Sequence, residues 1–306
     1  MPHIVIVGDR DSGKTTFLAL LYAAQVKSGV TRADDFRFHV GLESLEEISE
    51  VFQQLMSGNF PDSAAKEGVS SITFHIASRK AGLGVLSRRR SRAWNPDASA
   101  SLHFVLLRNL DDEMARYRTG SSLANTKLRD VLESDAMIIL VDSTKLAGLG
   151  QEDSAAAMTT YDAAVESLVT AVQRSRGRGS PRRFHPIFIF SKFDSVPKEA
   201  LRKAQLEGAP PTVRETNRRV AYARAFLDTN LKKTMERITA REIQGVRFVT
   251  PSYFFSRVTT EAATGDQKTR VRLRRIEGGG WEPDYSVDEY LALLDSLRKI
   301  ATEAGD

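Results

Sequence analysis

Gly8-Asp9-Arg10-Asp11-Ser12-Gly13-Lys14-Thr15 fits the phosphate-binding pattern G-x-x-x-x-G-K-[ST] at every fixed position. Its setting decides the fold. His3-Ile4-Val5-Ile6-Val7 before it reads as a buried strand, and Thr16-Phe17-Leu18-Ala19-Leu20-Leu21-Tyr22 after it as a helix. A strand, a glycine-bearing loop and a helix in that order turn backbone amides and a helix N-terminus toward a chain of phosphates. In such a site the loop from Asp11 through Ser12 and Gly13 to Thr16 cradles the phosphates. The Lys14 ammonium reaches the outer ones and the Thr15 hydroxyl holds Mg²⁺. Gly8 and Gly13 let the backbone bend close to the ligand. A bound nucleotide is the expectation, and its base is the open question.

The chain has 306 residues, enough for one large α/β domain or two ordinary ones, and 41% of them are hydrophobic, as in a globular protein. It has no cysteine, which excludes disulfides, thiolate metal sites and cysteine nucleophiles and fits a reducing compartment. The sequence starts with a strand rather than a basic leader, and apolar runs such as Ala136 to Val141 are too short to cross a bilayer. The expectation is therefore a cytoplasmic protein without a transmembrane segment. Forty-four basic residues against 39 acidic ones leave a net charge of only +5, so the basic character lies in local clusters. A nucleic-acid partner stays open but is not indicated.

Beyond the first helix, Phe36, Phe38 and Val40 alternate with polar residues as a half-exposed strand would, leaving His39 as a solvated histidine. Leu42, Leu45, Ile48, Phe52 and Leu55 recur at helical spacing up to Ser57-Gly58, where glycine can take the left-handed stop. Ile72, Phe74 and Ile76 mark the next strand, and Leu102 to Leu107 a partner for it. Between these two lies Arg79 to Arg92, a small-residue segment whose Arg88-Arg89-Arg90-Ser91-Arg92 reads as solvated surface or as a dock for an anionic surface. A polar helix is predicted from Ser121 to Ser134 and a doubly covered strand from Ala136 to Asp142, which implies a parallel sheet. A long helix from Ala155 to Arg174 leads to a second basic loop, Arg174 to Arg183, and then to a buried strand at Pro186 to Phe190. A helix from about Thr212 to Arg241 precedes a last parallel strand, Val246 to Thr250, ended by Pro251. The tail carries an alternating segment at Val271 to Arg274, a flexible Gly278-Gly279-Gly280 and a serine-started helix from Ser286 to Ile300 with Leu291, Leu294 and Leu297 on one stripe.

In open parallel sheets, ligands sit at the carboxyl ends of the strands, and Ser191-Lys192-Phe193-Asp194 follows a buried strand there, about 180 residues after the phosphate loop. It resembles the guanine-recognition motif [NT]-K-x-D of Ras-like GTPases, with serine in first place. The resemblance implies that Asp194 accepts the two edge protons of guanine and that the Lys192 stem covers the ring face. An ionised Asp194 would select against adenine, which offers an acceptor where guanine offers a donor. By the same resemblance Thr250-Pro251-Ser252 falls where a small-residue loop contacts the guanine oxygen, with Ser252 as the candidate. The phosphate loop with its Thr-Thr-Phe-Leu-Ala-Leu-Leu-Tyr, the early helix ending in Gly58-Asn59-Phe60-Pro61 and the strand end Val141-Asp142 are similar to the prokaryotic double-GTPase group of that superfamily. The implied fold is a three-layer α/β G domain with a mostly parallel central sheet. Its single domain covers residues 1–306: a core of about 1–254, an insertion at about 40–70 and a C-terminal extension at about 255–306. The implied ligands are GTP or GDP with Mg²⁺.

The switch elements depart from that pattern. A hydrolysing GTPase needs a Thr or Ser that senses Mg²⁺ and the γ-phosphate, and an Asp-x-x-Gly followed by a water-orienting residue. Ser63 is the candidate for the first, with Thr31 as the fallback. For the second, the strand to Leu107 runs into Arg108-Asn109-Leu110-Asp111-Asp112-Glu113, with arginine for the aspartate and Asp111 for the glycine. Either Asp111 or Asp112 holds the metal water and Glu113 orients the attacking water, giving slow hydrolysis, or the site binds nucleotide and scarcely turns over. Three functions stay open at this level: a GTP-binding switch signalling to an unknown effector, a pseudo-GTPase scaffold, and an ATP-using phosphate-loop enzyme.

Overall fold

A computed structural model describes residues 2–31, 36–62, 71–79, 94–107, 110, 114–115, 126–146, 152–176, 182–203, 206, 209–240, 242–243, 246–261, 269–276 and 279–303. Strand β1 (His3–Gly8) enters the phosphate loop and helix α1 (Lys14–Thr31) leaves it. Strand β2 (Phe36–Val40) is joined through Gly41 to α2 (Leu42–Met56). Strands β3 (Ser71–Arg79) and β4 (Trp94–Leu106), helix α3 (Thr126–Leu132) and strand β5 (Ala136–Asp142) follow. Then come α4 (Glu152–Ser175), β6 (Arg182–Ser191), α5 (Lys198–Lys203), α6 (Thr216–Asn230) and α7 (Lys232–Thr239). Three short strands, β7 (Glu242–Ile243), β8 (Val246–Phe248) and β9 (Ser252–Phe255), precede the C-terminal segment. That segment holds β10 (Thr260–Glu261), β11 (Arg270–Val271), β12 (Leu273–Arg275), β13 (Trp281–Pro283) and α8 (Val287–Glu303).

Among the described residues the central sheet has nine strands in the order β2-β3-β4-β1-β5-β6-β8-β7, with β9 also beside β6. The run from β4 through β1, β5 and β6 to β9 is parallel, while β2, β3 and β7 run against their neighbours. Strand alternation splits the core into two layers. Ile4, Ile6, Ile138 and Leu140 face α1, α2 and α8, whereas Val5, Val7, Met137, Ile139 and Val141 face α4, α6 and α7. Every residue of β5 is buried, which is why it reads as a continuous apolar run. The result is a mostly parallel α/β sheet layered by helices on both faces, the expected fold class.

Helix α2 stops as its sequence predicts. Gly58 takes φ +76°, its N–H reaches Leu55 O, and the Asn59 N–H reaches back to Gln54 O, closing a Schellman turn. Two expectations need correction. The helix predicted from about Thr212 to Arg241 is two helices broken at Leu231, because the buried Asp162 of α4 accepts the backbone N–H groups of Lys233 and Thr234 and caps a new helix there. The last parallel strand does not end at Pro251. Pro251 has no N–H for the ladder, so β8 stops at Phe248 and β9 resumes beside β6 with Ser252 opposite Ile187. Four residue steps on this side match three on β6, a one-residue bulge that restarts the strand.

Helix α8 is anchored as its leucine stripe suggests. Tyr290, Leu293, Leu294, Leu297 and Ile300 are buried in the same layer as Ile4, Phe17 and Phe254. The Leu291 assigned to that stripe is only half-buried; its neighbours Tyr290 and Leu293 point inward instead. Arg219 of α6 ties down the first turn of α8, pairing with Glu289 and donating to Tyr253 O and Pro211 O.

Candidate functional site

The parallel order brings the ends of β1, β5, β6 and β9 to one edge of the sheet. At the end of β1 the chain turns through Asp11 at φ +60° and Gly13 at φ +86°, so two residues in the left-handed region reverse it into α1. Ser12 N–H closes the turn on Asp9 O at 3.2 Å, and Phe17 N–H starts the helix on Gly13 O at 2.8 Å. The Lys14 ammonium folds back over the loop and donates to Gly8 O at 2.6 Å and Asp9 O at 2.9 Å. Ser12 is fully buried, and its hydroxyl has no hydrogen-bond partner among the described residues. A buried hydroxyl without a partner costs free energy on the order of 1–3 kcal/mol, and here it belongs to a loop of amides. Thr15 is 9% exposed and Thr16 half-buried.

The second half of the site is the turn after β6. Lys192 sits in the left-handed region at φ 52° and ψ 33°, and its ammonium lies 2.7 Å from the fully buried Asp142 at the end of β5. That ion pair and the anchoring of the next residue hold a backbone conformation that a lysine otherwise avoids. Phe193 is buried among Phe190, Tyr222, Phe226 and Phe255, with the Phe255 ring centroid at 5.0 Å. Burial in this cluster pushes the Tyr222 hydroxyl up to about 12. Asp194 then projects toward the loop after β9, where its Oδ1 accepts the Val258 N–H at 3.1 Å. The motif's serine, Ser191, donates to Val141 O at 3.3 Å.

The restart of the strand at β9 changes which residues lie beside Asp194. Ser252 is the first residue of β9, level with Ile187 in the middle of β6, and so lies well short of the carboxyl edge. The residues that leave the sheet beside Asp194 are Ser256, Arg257 and Val258. Their amides are engaged: Ser256 with Phe190 O, Arg257 with Ser286 Oγ and Val258 with Asp194 Oδ1. The C-terminal segment thus braces this loop, and the Ser286 N–H also reaches Arg257 O. Ser286, predicted as the cap of α8, is spent on the loop, donating to Phe255 O and accepting from Arg257. Asp194 and Arg257 line a cleft of about 2090 Å³ together with Thr212, Arg219 and Asp288.

Two residues not among the sequence-predicted site residues complete the edge: Asp142, noted only as a strand end, and Lys145. Asp142 Oδ1 accepts the Thr144 N–H at 3.1 Å and the Thr144 hydroxyl at 2.6 Å, capping a 3-10 turn at Ser143–Lys145. The turn delivers Lys145 to the phosphate loop, where its Nζ lies 2.5 Å from Asp9 Oδ2 and 3.1 Å from Arg10 O. The signal in the sequence is positional: polar residues directly after a buried parallel strand sit at the ligand edge. Ser63, Arg108, Asn109, Asp111, Asp112, Glu113 and the Arg88 to Arg92 stretch lie outside the described residues. Among the described residues no cluster of three or more His, Cys, Asp or Glu side chains could hold a metal, and no helix is long and apolar enough to cross a membrane.

The G-x-x-x-x-G-K-[ST] loop thus lies between the first strand and the first helix of a mostly parallel α/β sheet covered by helices on both faces. No protein-family model matches the chain, and no curated protein matches its sequence. Among solved structures it is similar to a chain of the signal recognition particle receptor SRb-GTP/SRX complex from Chaetomium thermophilum, at 12% identity and a TM-score of 0.35, over 83% of this chain and 90% of that one. A likeness that loose carries no function across.

Proposed function

We propose that the protein is a guanine-nucleotide-binding switch that takes GTP or GDP with Mg²⁺ and hydrolyses GTP slowly. The observation that carries this reading is the meeting, at one sheet edge, of a closed phosphate loop and the Lys192–Asp194 turn. The orphaned Ser12 hydroxyl and the inward-folded Lys14 fit a phosphate chain: a β- or γ-phosphate oxygen would replace the loop carbonyls as acceptor for Lys14. Asp11, Ser12, Gly13, Lys14, Thr15 and Thr16 would hold the phosphates, with the Thr15 hydroxyl on Mg²⁺ and Ser63 as the second metal-side hydroxyl. Magnesium, bound by Thr15 and phosphate oxygens, would offset the negative charge of the phosphates.

On the base side, the amides of residues 256–258 are engaged, so the reading of guanine falls to Asp194, with the Lys192 stem held across the ring position by Asp142. Ser252 is withdrawn from this role because β9 places it inside the sheet. Asp112 and Glu113 are the candidates for orienting the attacking water, and the altered Arg108 to Glu113 segment is the reason to expect slow turnover. We read the chain as one G domain whose C-terminal extension begins after β9. An effector would sense the segments around Ser63 and Asp111, and the Arg88 to Arg92 stretch would meet an anionic surface.

The test is binding of mant-GTP with Mg²⁺ together with single-turnover phosphate release. Wild type should bind, Lys14→Ala should lose binding while staying folded, and phosphate release should be slow but above that variant. Unchanged binding by Lys14→Ala would remove the phosphate assignment; binding without any release would favour a pseudo-GTPase.

A further inference from the structure

The phosphate loop carries two carboxylates, Asp9 and Asp11, in a place meant for a polyanion. Each would oppose a phosphate chain unless its charge were met. Asp11 and Arg10 are 4.0 Å apart and largely in solvent, with side chains 74% and 92% exposed, so water and salt screen both. Asp9 is different. Its side chain is 24% exposed, and its carboxylate lies 2.5 Å from the ammonium of Lys145, whose side chain is 28% exposed. Screening is weaker there, and the same ammonium donates to Arg10 O. Lys14 grips Gly8 O and Asp9 O, so two lysines hold the backbone of three consecutive loop residues.

Lys145 does not reach the loop by chance of a long side chain. It ends a turn capped by Asp142, a carboxylate fully buried at the end of β5 and paired through its other oxygen with Lys192. The turn is therefore fixed to the sheet, and the ammonium is delivered from a rigid base.

We propose that Lys145 is a positioning residue of the phosphate loop: it neutralises Asp9 and pins Asp9 and Arg10, so that the loop accepts a polyphosphate. The proposal rests on Gly8 to Thr15 being a phosphate site and is independent of which base is bound.

The test uses magnesium tripolyphosphate, which has no base, in calorimetric titrations of wild type, Lys145→Ala, Lys145→Arg, Asp9→Asn and the Asp9→Asn/Lys145→Ala double variant, with urea unfolding of each. Lys145→Ala should weaken binding about tenfold, the scale of one poorly screened charge contact. Lys145→Arg should restore most of it, and Asp9→Asn should bind at least as tightly as wild type. In the double variant the lysine should matter little, because the charge it answers is gone. The unfolding midpoints should stay together, which a merely structural role would not produce. The proposal fails if Lys145→Ala costs less than about twofold, if its loss is the same with Asn at position 9, or if wild type takes up no tripolyphosphate. A parallel mant-GTP and mant-ATP titration that shows no base preference would count against guanine alone and leave this result standing.

Discussion

Gly8 and Gly13 are both fixed positions of the loop motif, yet the structure gives them different reasons to be glycine. A Cβ on Gly8 would stand 2.4 Å from Ser12 Oγ, 3.1 Å from Leu140 Cβ and 3.3 Å from Lys14 Cγ. Ordinary contacts are roughly 3.5–4.0 Å, so all three neighbours must give. Ser12 and Leu140 are fully buried, and Lys14 Cγ lies on the stem that places the ammonium. Rotation of the Ser12 hydroxyl can relieve the first clash but not the other two. Gly8→Ala should therefore cost about 1–3 kcal/mol, as overpacking of a closed site does. With a urea slope of about 3 kcal/mol/M, that is a drop in midpoint on the order of 0.3–1 M. Adding Ser12→Ala should recover part of it by removing the nearest atom. At Gly13 there is nothing within 4 Å of a Cβ, but φ is +86°, so alanine there pays in backbone conformation, about 1–2 kcal/mol. Ser12→Ala should not repair that variant. The assay is urea unfolding of the two single and two double variants. A wild-type midpoint for Gly8→Ala, or equal rescue of both glycine variants, would refute the steric reasoning.

Two further outcomes follow from the core. Leu294 is 1% exposed, in one apolar layer with β1 and α1. Leu294→Ala should destabilise the whole sheet by about 2–5 kcal/mol in one transition, and a separate melting step for the C-terminal helix would show that it docks rather than shares the core. Burial holds the His185 imidazole below its ordinary 6.5, against the upward pull of Glu303. The folded state then binds fewer protons than the unfolded one, so this contribution is complete above about pH 6.5 and is lost as pH falls through the lowered folded value. His185→Gln should flatten the acid-side fall in stability, though not abolish it, since burial also lowers His39; an unchanged slope would contradict the assignment.

The parts of the fold legible in the sequence are those decided locally. The loop motif, the buried run of β5 and the glycine stop of α2 each carry their own signal in a few neighbouring residues. What escaped was decided by contacts distant in sequence. Leu231 breaks a helical pattern because Asp162, from α4, caps the helix that follows. The strand after Phe248 resumes because β6 offers a second stretch of ladder beyond Pro251, and a proline read alone signals only an end. That reading put the candidate at Ser252, whereas the residues that leave β9 beside Asp194 are Ser256 to Val258. Lys145 escaped for the same reason: the Asp9 it meets is 136 residues earlier in the chain.

Whether Asp194 makes this a guanine site is decided by the ratio of mant-GTP to mant-ATP affinity in wild type and in Asp194→Asn. Asp194 is already held in place by Val258, so the carboxylate is set before a base arrives. Wild type should prefer GTP by about a hundredfold or more, as a site built to bond a particular edge does, and Asp194→Asn should collapse that preference mainly by weakening GTP. Equal affinity for the two nucleotides, unmoved by the substitution, would contradict the account and leave a phosphate-binding loop without a guanine-reading partner.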